Sequence, residues 1–107
     1  MSRKRIQQIE RRIARIKEEL QTMGPMRPGS LTRQYKDPES SAGAYWQISY
    51  TRQMKSRTEY VRREWVREVR KQIAMHKRFK RLIDQWVDLG IEHSQLAMQI
   101  AKTKGTM

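Results

Sequence analysis

The chain has 107 residues, with 24 Lys and Arg against 11 Asp and Glu, which gives a formal net charge of +13. Its length fits one small domain, and the absence of cysteine excludes disulfides, thiolate metal sites and cysteine nucleophiles. No apolar run is long enough to cross a membrane, and residues 1–5 are basic without the apolar segment of a signal peptide. We therefore expect a basic cytoplasmic protein, with no membrane partner, that binds a polyanion.

The first predicted element is a coiled-coil-like helix over residues 1–23. Its apolar residues recur alternately three and four positions apart, which is the a/d pattern of a heptad seam. The seam consists of Ile6, Ile9, Ile13, Ile16 and Leu20, and continues to Met23. Such a seam must be buried, either on the C-terminal helix or in a homodimer. We expect packing within one chain.

Residues 24–44 are predicted to form a connector. All three prolines of the chain lie here, and Gly24-Pro25 is a typical end of a helix. The run Arg27-Pro28-Gly29-Ser30 predicts a turn. Leu31 and Tyr35 are expected to anchor the segment, and residues 36–44 are expected to be mobile.

Residues 45–61 are predicted to form a β-hairpin with a turn at 52–55. Trp46, Ile48 and Tyr50 alternate with polar residues, which places them on one side of a strand. We expect that side to pack on a helix, whereas exposed aromatic side chains would favour stacking on RNA bases. Because a two-stranded hairpin is marginally stable in water, it should lie on a helix or gain a strand from the connector.

Residues 62–104 predict one long amphipathic helix, since Gly90 is the only glycine or proline before the last turn. A single apolar arc is expected from Trp65, Val66, Val69, Ile73, His76, Phe79, Ile83, Trp86, Val87, Ala97, Met98 and Ala101. The predicted fold is therefore mainly α with a small β-hairpin. The N-terminal heptad helix would pack antiparallel on the long C-terminal helix, in one domain.

Basic side chains concentrate on the opposite side of this helix and on the hairpin. Residues 62–81 hold nine basic and two acidic side chains, and the basic stripe is about 27 Å long at 1.5 Å per residue. A row of that length can follow a phosphate backbone, and arginine suits bidentate phosphate or guanine contacts. The alternative is a solvated charged face. The candidate nucleic-acid-binding residues are Arg52, Lys55, Arg57, Arg62, Arg63, Arg67, Arg70, Lys71, Lys77, Arg78 and Arg81.

The sequence offers little for catalysis or metal binding. His76 falls within the apolar arc, and the carboxylates Asp84, Asp88 and Glu92 lack a Glu-x-x-His motif in their register. We expect this acidic stripe to be solvated or to pair with basic residues of the first helix. No enzyme activity, metal or cofactor is therefore predicted.

Three motifs occur in an order that resembles a small prokaryotic and phage family of unknown function. They are Met26-Arg27-Pro28-Gly29-Ser30-Leu31, Gly43-Ala44-Tyr45-Trp46-Gln47-Ile48-Ser49-Tyr50 and Lys55-Ser56-Arg57-Thr58-Glu59-Tyr60-Val61. The resemblance covers roughly residues 26–85 and implies the hairpin followed by a long charged helix. Many members have a Cys-rich stretch where this chain has residues 36–41 without cysteine. The resemblance implies no activity.

These observations predict a sequence-tolerant binder of double-stranded DNA, acting as an accessory subunit of a larger phage or mobile-element nucleoprotein complex. A nucleoid-associated location in a prokaryote fits the same interpretation. The alternatives are an RNA-binding subunit of a ribonucleoprotein, and a coiled-coil adaptor whose basic face docks an acidic protein.

Overall fold

The structure, a computed structural model, describes residues 2–105. Its elements in chain order are α1 (Ser2–Gln21), β1 (Ser30–Asp37), β2 (Ala42–Arg52), β3 (Lys55–Val61), a 3-10 turn (Arg63–Trp65) and α2 (Val66–Gly105). The helix predicted for residues 1–23 is thus present, although Met1 lies outside the described residues. Neither described helix is long and apolar enough to cross a membrane.

The sheet has three antiparallel strands in the order β1-β2-β3, so the predicted hairpin gains a strand from the connector, which is one of the two ways in which we expected it to be supported. The additional strand β1 comes from the predicted connector and pairs Leu31 with Ile48 of β2. Within residues 36–44, which we expected to be mobile, β1 runs to Asp37 and β2 begins at Ala42. The third strand supplies the cross-strand support that a lone hairpin lacks.

The turn between β2 and β3 has two residues, Gln53 and Met54, with φ of 53° and 66°. Two positive φ values define a type I′ turn, whose twist matches that of the flanking strands. This turn normally uses Asn-Gly, so the two larger side chains here are held in a less favourable backbone region. Met54 is 98% exposed at its tip.

The chain divides into two compact units. We call residues 24–78 the sheet unit, and α1 together with α2 from Phe79 onward the helical unit. The sequence predicted one domain.

The core of the sheet unit lies between the sheet and the beginning of α2. Ile48 and Val61 pack with Val66, Val69 and Ile73 of α2. Leu31 and Trp46 are partly buried against this cluster, so the side of β2 predicted to face a helix does so.

Helix α2 begins at Val66, four residues later than predicted. Arg62 is extended, with φ −61° and ψ 142°, and the 3-10 turn follows it. Arg62 and Arg63 therefore do not lie in the first turn of α2. Trp65 was expected in the apolar arc but is 58% exposed, because it precedes the helix and does not share its phase.

In the helical unit, the buried side of α2 differs from the predicted arc. Leu82 is only 3% exposed, whereas Val87 is 54% exposed, and Met98 is exposed too. The inward residues step by four and three along a heptad: Leu82, Trp86, Leu89, His93, Leu96 and Ile100. A single arc extrapolated from Val66 shares only Trp86 with this seam, because the inward residues of the helical unit do not keep the phase of Val66 along α2.

The seam predicted on α1 is partly buried within the chain. Ile9 and Ile16 are buried, while Ile6, Ile13 and Leu20 are half-buried. In the same unit, Lys17 Nζ lies 5.3 Å from the ring centroid of Trp86.

Candidate nucleic-acid interface

The predicted basic residues of the hairpin lie around the β2–β3 turn. Arg52 and Lys55 face each other directly beside the turn, and Arg57 pairs with Tyr50. All three are exposed. The turn therefore presents three cationic side chains together with the exposed thioether of Met54.

The predicted basic residues at the beginning of α2 are also exposed. At 100° per residue, Arg67, Lys71 and Arg78 lie within about 40° of one another. They lie about 130° to 170° from the side formed by the buried residues of the sheet unit. The cationic row and the core thus occupy opposite sides of this part of α2.

Arg70 lies nearer the core and has a packing role. Its guanidinium carbon is 5.0 Å from the ring centroid of Trp46, the geometry of a cation–π contact. The aliphatic part of such a side chain also covers apolar surface. Arg70 therefore fixes the orientation of Trp46 in addition to contributing charge.

A cavity of about 280 Å³ lies beside this tryptophan and is lined by Arg33, Tyr45, Trp46, Tyr60 and Arg63, with Ala44 and Val61. Two of the lining side chains are arginines, so the cavity adds to the positive potential of the sheet unit. Arg62 is exposed and directly precedes Arg63. Lys77 is exposed further along α2.

Arg81 belongs to the helical unit, so ten of the eleven predicted residues share the sheet unit and one does not.

In the acidic stripe of the helical unit, one of the three carboxylates, Glu92, is paired with a basic residue of α1. Arg5 donates two hydrogen bonds to the carboxylate of Glu92, at 2.7 and 2.8 Å, and these bonds hold the pKa of Glu92 below its ordinary value. His93 Nε2 lies 3.1 Å from Glu10 Oε2.

One ion pair of the sheet unit organises the segment before β1. Arg27 Nη2 donates to Glu59 Oε1 at 2.9 Å, its guanidinium carbon lies 5.1 Å from the Tyr50 ring centroid, and its backbone N–H donates to Gln72. The hydrogen bond from Arg27, with a further one from Tyr50, lowers the pKa of Glu59. Arg27 therefore joins three elements, and Glu59, the one carboxylate on the strands next to the basic turn, is paired.

The sheet has a second face, which sequence reasoning missed. The odd-numbered residues of β2 and their pairing partners place ten side chains opposite the core, and we call them the open face: Ser30, Thr32, Gln34, Tyr45, Gln47, Ser49, Thr51, Ser56, Thr58 and Tyr60. None is acidic. The face could not be inferred from a two-stranded hairpin, because Thr32 and Gln34 belong to β1.

Among residues 2–105, no three His, Asp or Glu side chains converge in a geometry that would hold a metal ion. Half-buried His76 lies near the sheet core on α2 and has no hydrogen-bond or ion-pair partner among the described residues.

A family model described as a domain of unknown function, DUF6788, matches residues 5–71. The chain belongs to the DUF6788 family. The match begins in α1, includes the whole three-stranded sheet and ends in the second turn of α2. It thus starts earlier and ends earlier than the resemblance drawn from the three motifs. No curated protein and no solved structure matches the chain.

Proposed function

We propose that this protein is a small accessory protein that binds the backbone of double-stranded DNA with little dependence on sequence. The observation that carries the proposal is the placement of Arg67, Lys71 and Arg78 on the side of α2 opposite the core. Helix packing does not require Arg67 or Lys71 there, and each of these two can reach a phosphate oxygen while the fold stays intact.

The charge of the sheet unit supports the same proposal. It holds 13 basic and 5 acidic side chains, and Glu59 is already bound by Arg27. The basic side chains at the turn and at the end of β3 extend the cationic surface beyond α2. A field of this sign attracts polyanions and accelerates their association.

We also propose that α1 packs antiparallel on the second part of α2. Two contacts support this: Arg5 near the start of α1 bonds Glu92, while Lys17 near its end contacts Trp86. Burial of Ile9 and Ile16 within one chain favours this packing over a homodimer seam. The helical unit would then be free to bind a larger protein or nucleoprotein complex, of phage or mobile-element origin, in a prokaryotic cytoplasm.

RNA binding is a second candidate because Tyr60 is 69% exposed on β3. Exposed tyrosines can stack on unpaired bases, which duplex backbone binding does not need. The two candidates therefore differ in the nucleic acid they prefer.

The test is fluorescence anisotropy of the full chain with duplex DNA, single-stranded DNA and a structured RNA of equal length, at about 50 and 200 mM salt. We expect tightest binding to duplex DNA, with an affinity that falls steeply between the two salt concentrations. Preference for either single-stranded DNA or RNA, or binding that is insensitive to salt, would contradict the proposal.

A further inference from the structure

Strand β3 lies at an edge of the sheet and pairs with β2 on one side only. Arg52 and Lys55 flank the two-residue turn and form a hydrogen-bonded pair. Because such pairs alternate along an antiparallel ladder, the backbone groups of Ser56, Thr58 and Tyr60 point away from β2. Among the described residues, no backbone hydrogen bond from outside the sheet reaches these three. The edge therefore offers their N–H and C=O groups to a further strand.

The exposed large apolar side chains of the sheet unit all lie along this edge or at its ends. Met54 is 98% exposed in the turn before β3, Tyr60 is 69% exposed on β3, and Trp65 is 58% exposed in the 3-10 turn that follows. Single exposed apolar residues are ordinary on a protein surface, whereas a group of them beside an unpaired strand edge is typical of an interaction site.

The sequence of β3 is complementary to itself when two copies pair antiparallel about Thr58. Thr58 is the middle residue of β3, so this register pairs the whole strand, Lys55–Val61. Opposite residues of an antiparallel pair point to the same side of the sheet, and no two like charges meet. The pairs are Lys55 with Val61, Ser56 with Tyr60, Arg57 with Glu59, and Thr58 with Thr58 of the second copy.

The pair of Arg57 with Glu59 falls beside a groove between β3 and the beginning of α2. The groove has a volume of about 490 Å³, and its charged lining residues are Arg27, Glu59, Arg62 and Glu68. Arg27 Nη2 bonds Oε1 of Glu59, but the Glu59 side chain stays 50% exposed. A carboxylate accepts several hydrogen bonds, so Glu59 can also accept from Arg57 of a second copy.

The same register accounts for the exposed side chains at the two ends of β3. Position 54 of one copy comes opposite position 62 of the other, directly before the 3-10 turn that contains Trp65. A thioether makes favourable contacts with an aromatic ring. Met54 of the second copy can therefore pack against Trp65, and the symmetry repeats this contact at the other end.

We propose that a second copy of this chain docks on the outer edge of β3, so that the two sheets join into one antiparallel sheet of six strands. The interface is isologous, with its two-fold axis at Thr58. It differs from a coiled-coil seam on α1, whose Ile9 and Ile16 are buried within one chain. The inference goes beyond nucleic-acid binding and does not depend on it.

Disulfide trapping of the full chain tests the register, since the protein has no cysteine of its own. Thr58→Cys places two thiols at the two-fold axis, where the Cα atoms of a hydrogen-bonded pair lie about 5.5 Å apart, within the range of a disulfide. With oxidised glutathione we expect a covalent dimer on a non-reducing gel. Thr32→Cys, which replaces an exposed threonine on the same face of β1, is the matched control and should stay monomeric on that gel.

Sedimentation equilibrium without nucleic acid measures the strength of the contact. We expect the unaltered chain to form a dimer and Arg57→Glu to raise its dissociation constant about tenfold, because like charges then face each other twice in the symmetric interface. Arg33→Glu makes the same charge change on β1 and should leave the constant unchanged. Circular dichroism verifies that both variants are folded.

A chain that stays monomeric at every concentration, or a dimer that folded Arg57→Glu does not weaken, would overturn the β3 contact. Equal trapping of Thr58→Cys and Thr32→Cys would overturn it as well. Because these experiments use no DNA, their failure would leave the proposed function to its own test.

Discussion

At the scale of single residues, the sheet unit depends on Gly29, which has a φ of 141°. A Cβ atom at this position would lie 2.7 Å from both Cγ1 and Cδ1 of Ile48. Since Ile48 is fully buried, it has little room to move away. The glycine is therefore required both by its backbone angle and by this close approach.

Replacing Gly29 with alanine should lower the free energy of unfolding by about 1–3 kcal/mol, through overpacking against Ile48 and backbone strain. Urea denaturation followed by circular dichroism measures the change. Gly24→Ala is the matched control, because a Cβ atom at Gly24 would have no neighbour within 4 Å, and it should leave the midpoint nearly unchanged. Equal midpoints for the two variants would refute this role of Gly29.

The Arg27–Glu59 pair predicts a dependence of stability on pH. The folded protein holds the pKa of Glu59 below its ordinary value of 4.5, so the folded state binds this proton less readily than the unfolded state. The contribution to stability is complete above pH 4.5 and is lost as pH falls through the folded pKa.

Thermal unfolding between about pH 3 and 6 tests this expectation. The protein with Glu59 should lose more stability towards the acid end of this range than Glu59→Gln does, and Arg27→Gln should reduce the difference because it removes the main donor. If Glu59→Gln and the unaltered protein changed in parallel over this range, the pair would not contribute as described.

At the scale of elements, the β2–β3 turn combines strained residues with exposure. Met54→Gly should stabilise the protein by about 0.5–1 kcal/mol, because glycine adopts a positive φ without steric cost. Met54→Ala removes the same side chain but keeps the cost, so it is the control. A midpoint for Met54→Gly no higher than that for Met54→Ala would show that the turn is not strained.

A second prediction at this scale concerns which side of α2 is buried in the helical unit. Leu82→Ala should lower the free energy of unfolding by about 2–5 kcal/mol, because it leaves a cavity in the helical unit. Val87→Ala, which the sequence placed in the core, should cost no more than about 1 kcal/mol since its side chain is largely exposed. Chemical denaturation of both variants measures the difference in the free energy of unfolding. A larger loss for Val87→Ala than for Leu82→Ala would contradict the seam through Leu82 and support the single apolar arc.

The sequence predicted those elements whose side chains repeat strongly, and it missed those that depend on tertiary context. The Ile6 to Leu20 heptad and the alternation around Ile48 are regular, and a helix and a strand are found there. Strand β1 has only Leu31 and Tyr35 as apolar positions, and it forms because β2 offers a partner edge. The seam through Leu82 was missed because periodicity read from Val66 assumes that one side of a helix stays buried throughout.

The candidate site divides in the same way. Basic residues can be identified from sequence, and their exposure on α2 follows from helical geometry. The packing of Arg70 on Trp46 and the pairing of Glu59 with Arg27 require distances that no local pattern contains. The open face needed the register of all three strands.

At the scale of the whole molecule, the two units differ in charge. Thirteen of the 24 basic residues but only five of the 11 acidic ones belong to the sheet unit. The helical unit uses some of its charges in pairs such as Arg5 with Glu92. We therefore expect DNA affinity to depend on cations of the sheet unit more than on those of α1.

The most direct measurement is the slope of log K against log salt for duplex DNA with two double variants. Each phosphate contact contributes about 0.9 to this slope. Arg67→Gln with Lys71→Gln should therefore reduce it by about 1.8, while Arg3→Gln with Lys4→Gln, the same charge change on α1, should alter it by less than about 0.5. An unchanged slope for the first variant, or an equal reduction in both, would contradict DNA binding through the basic side of the sheet unit.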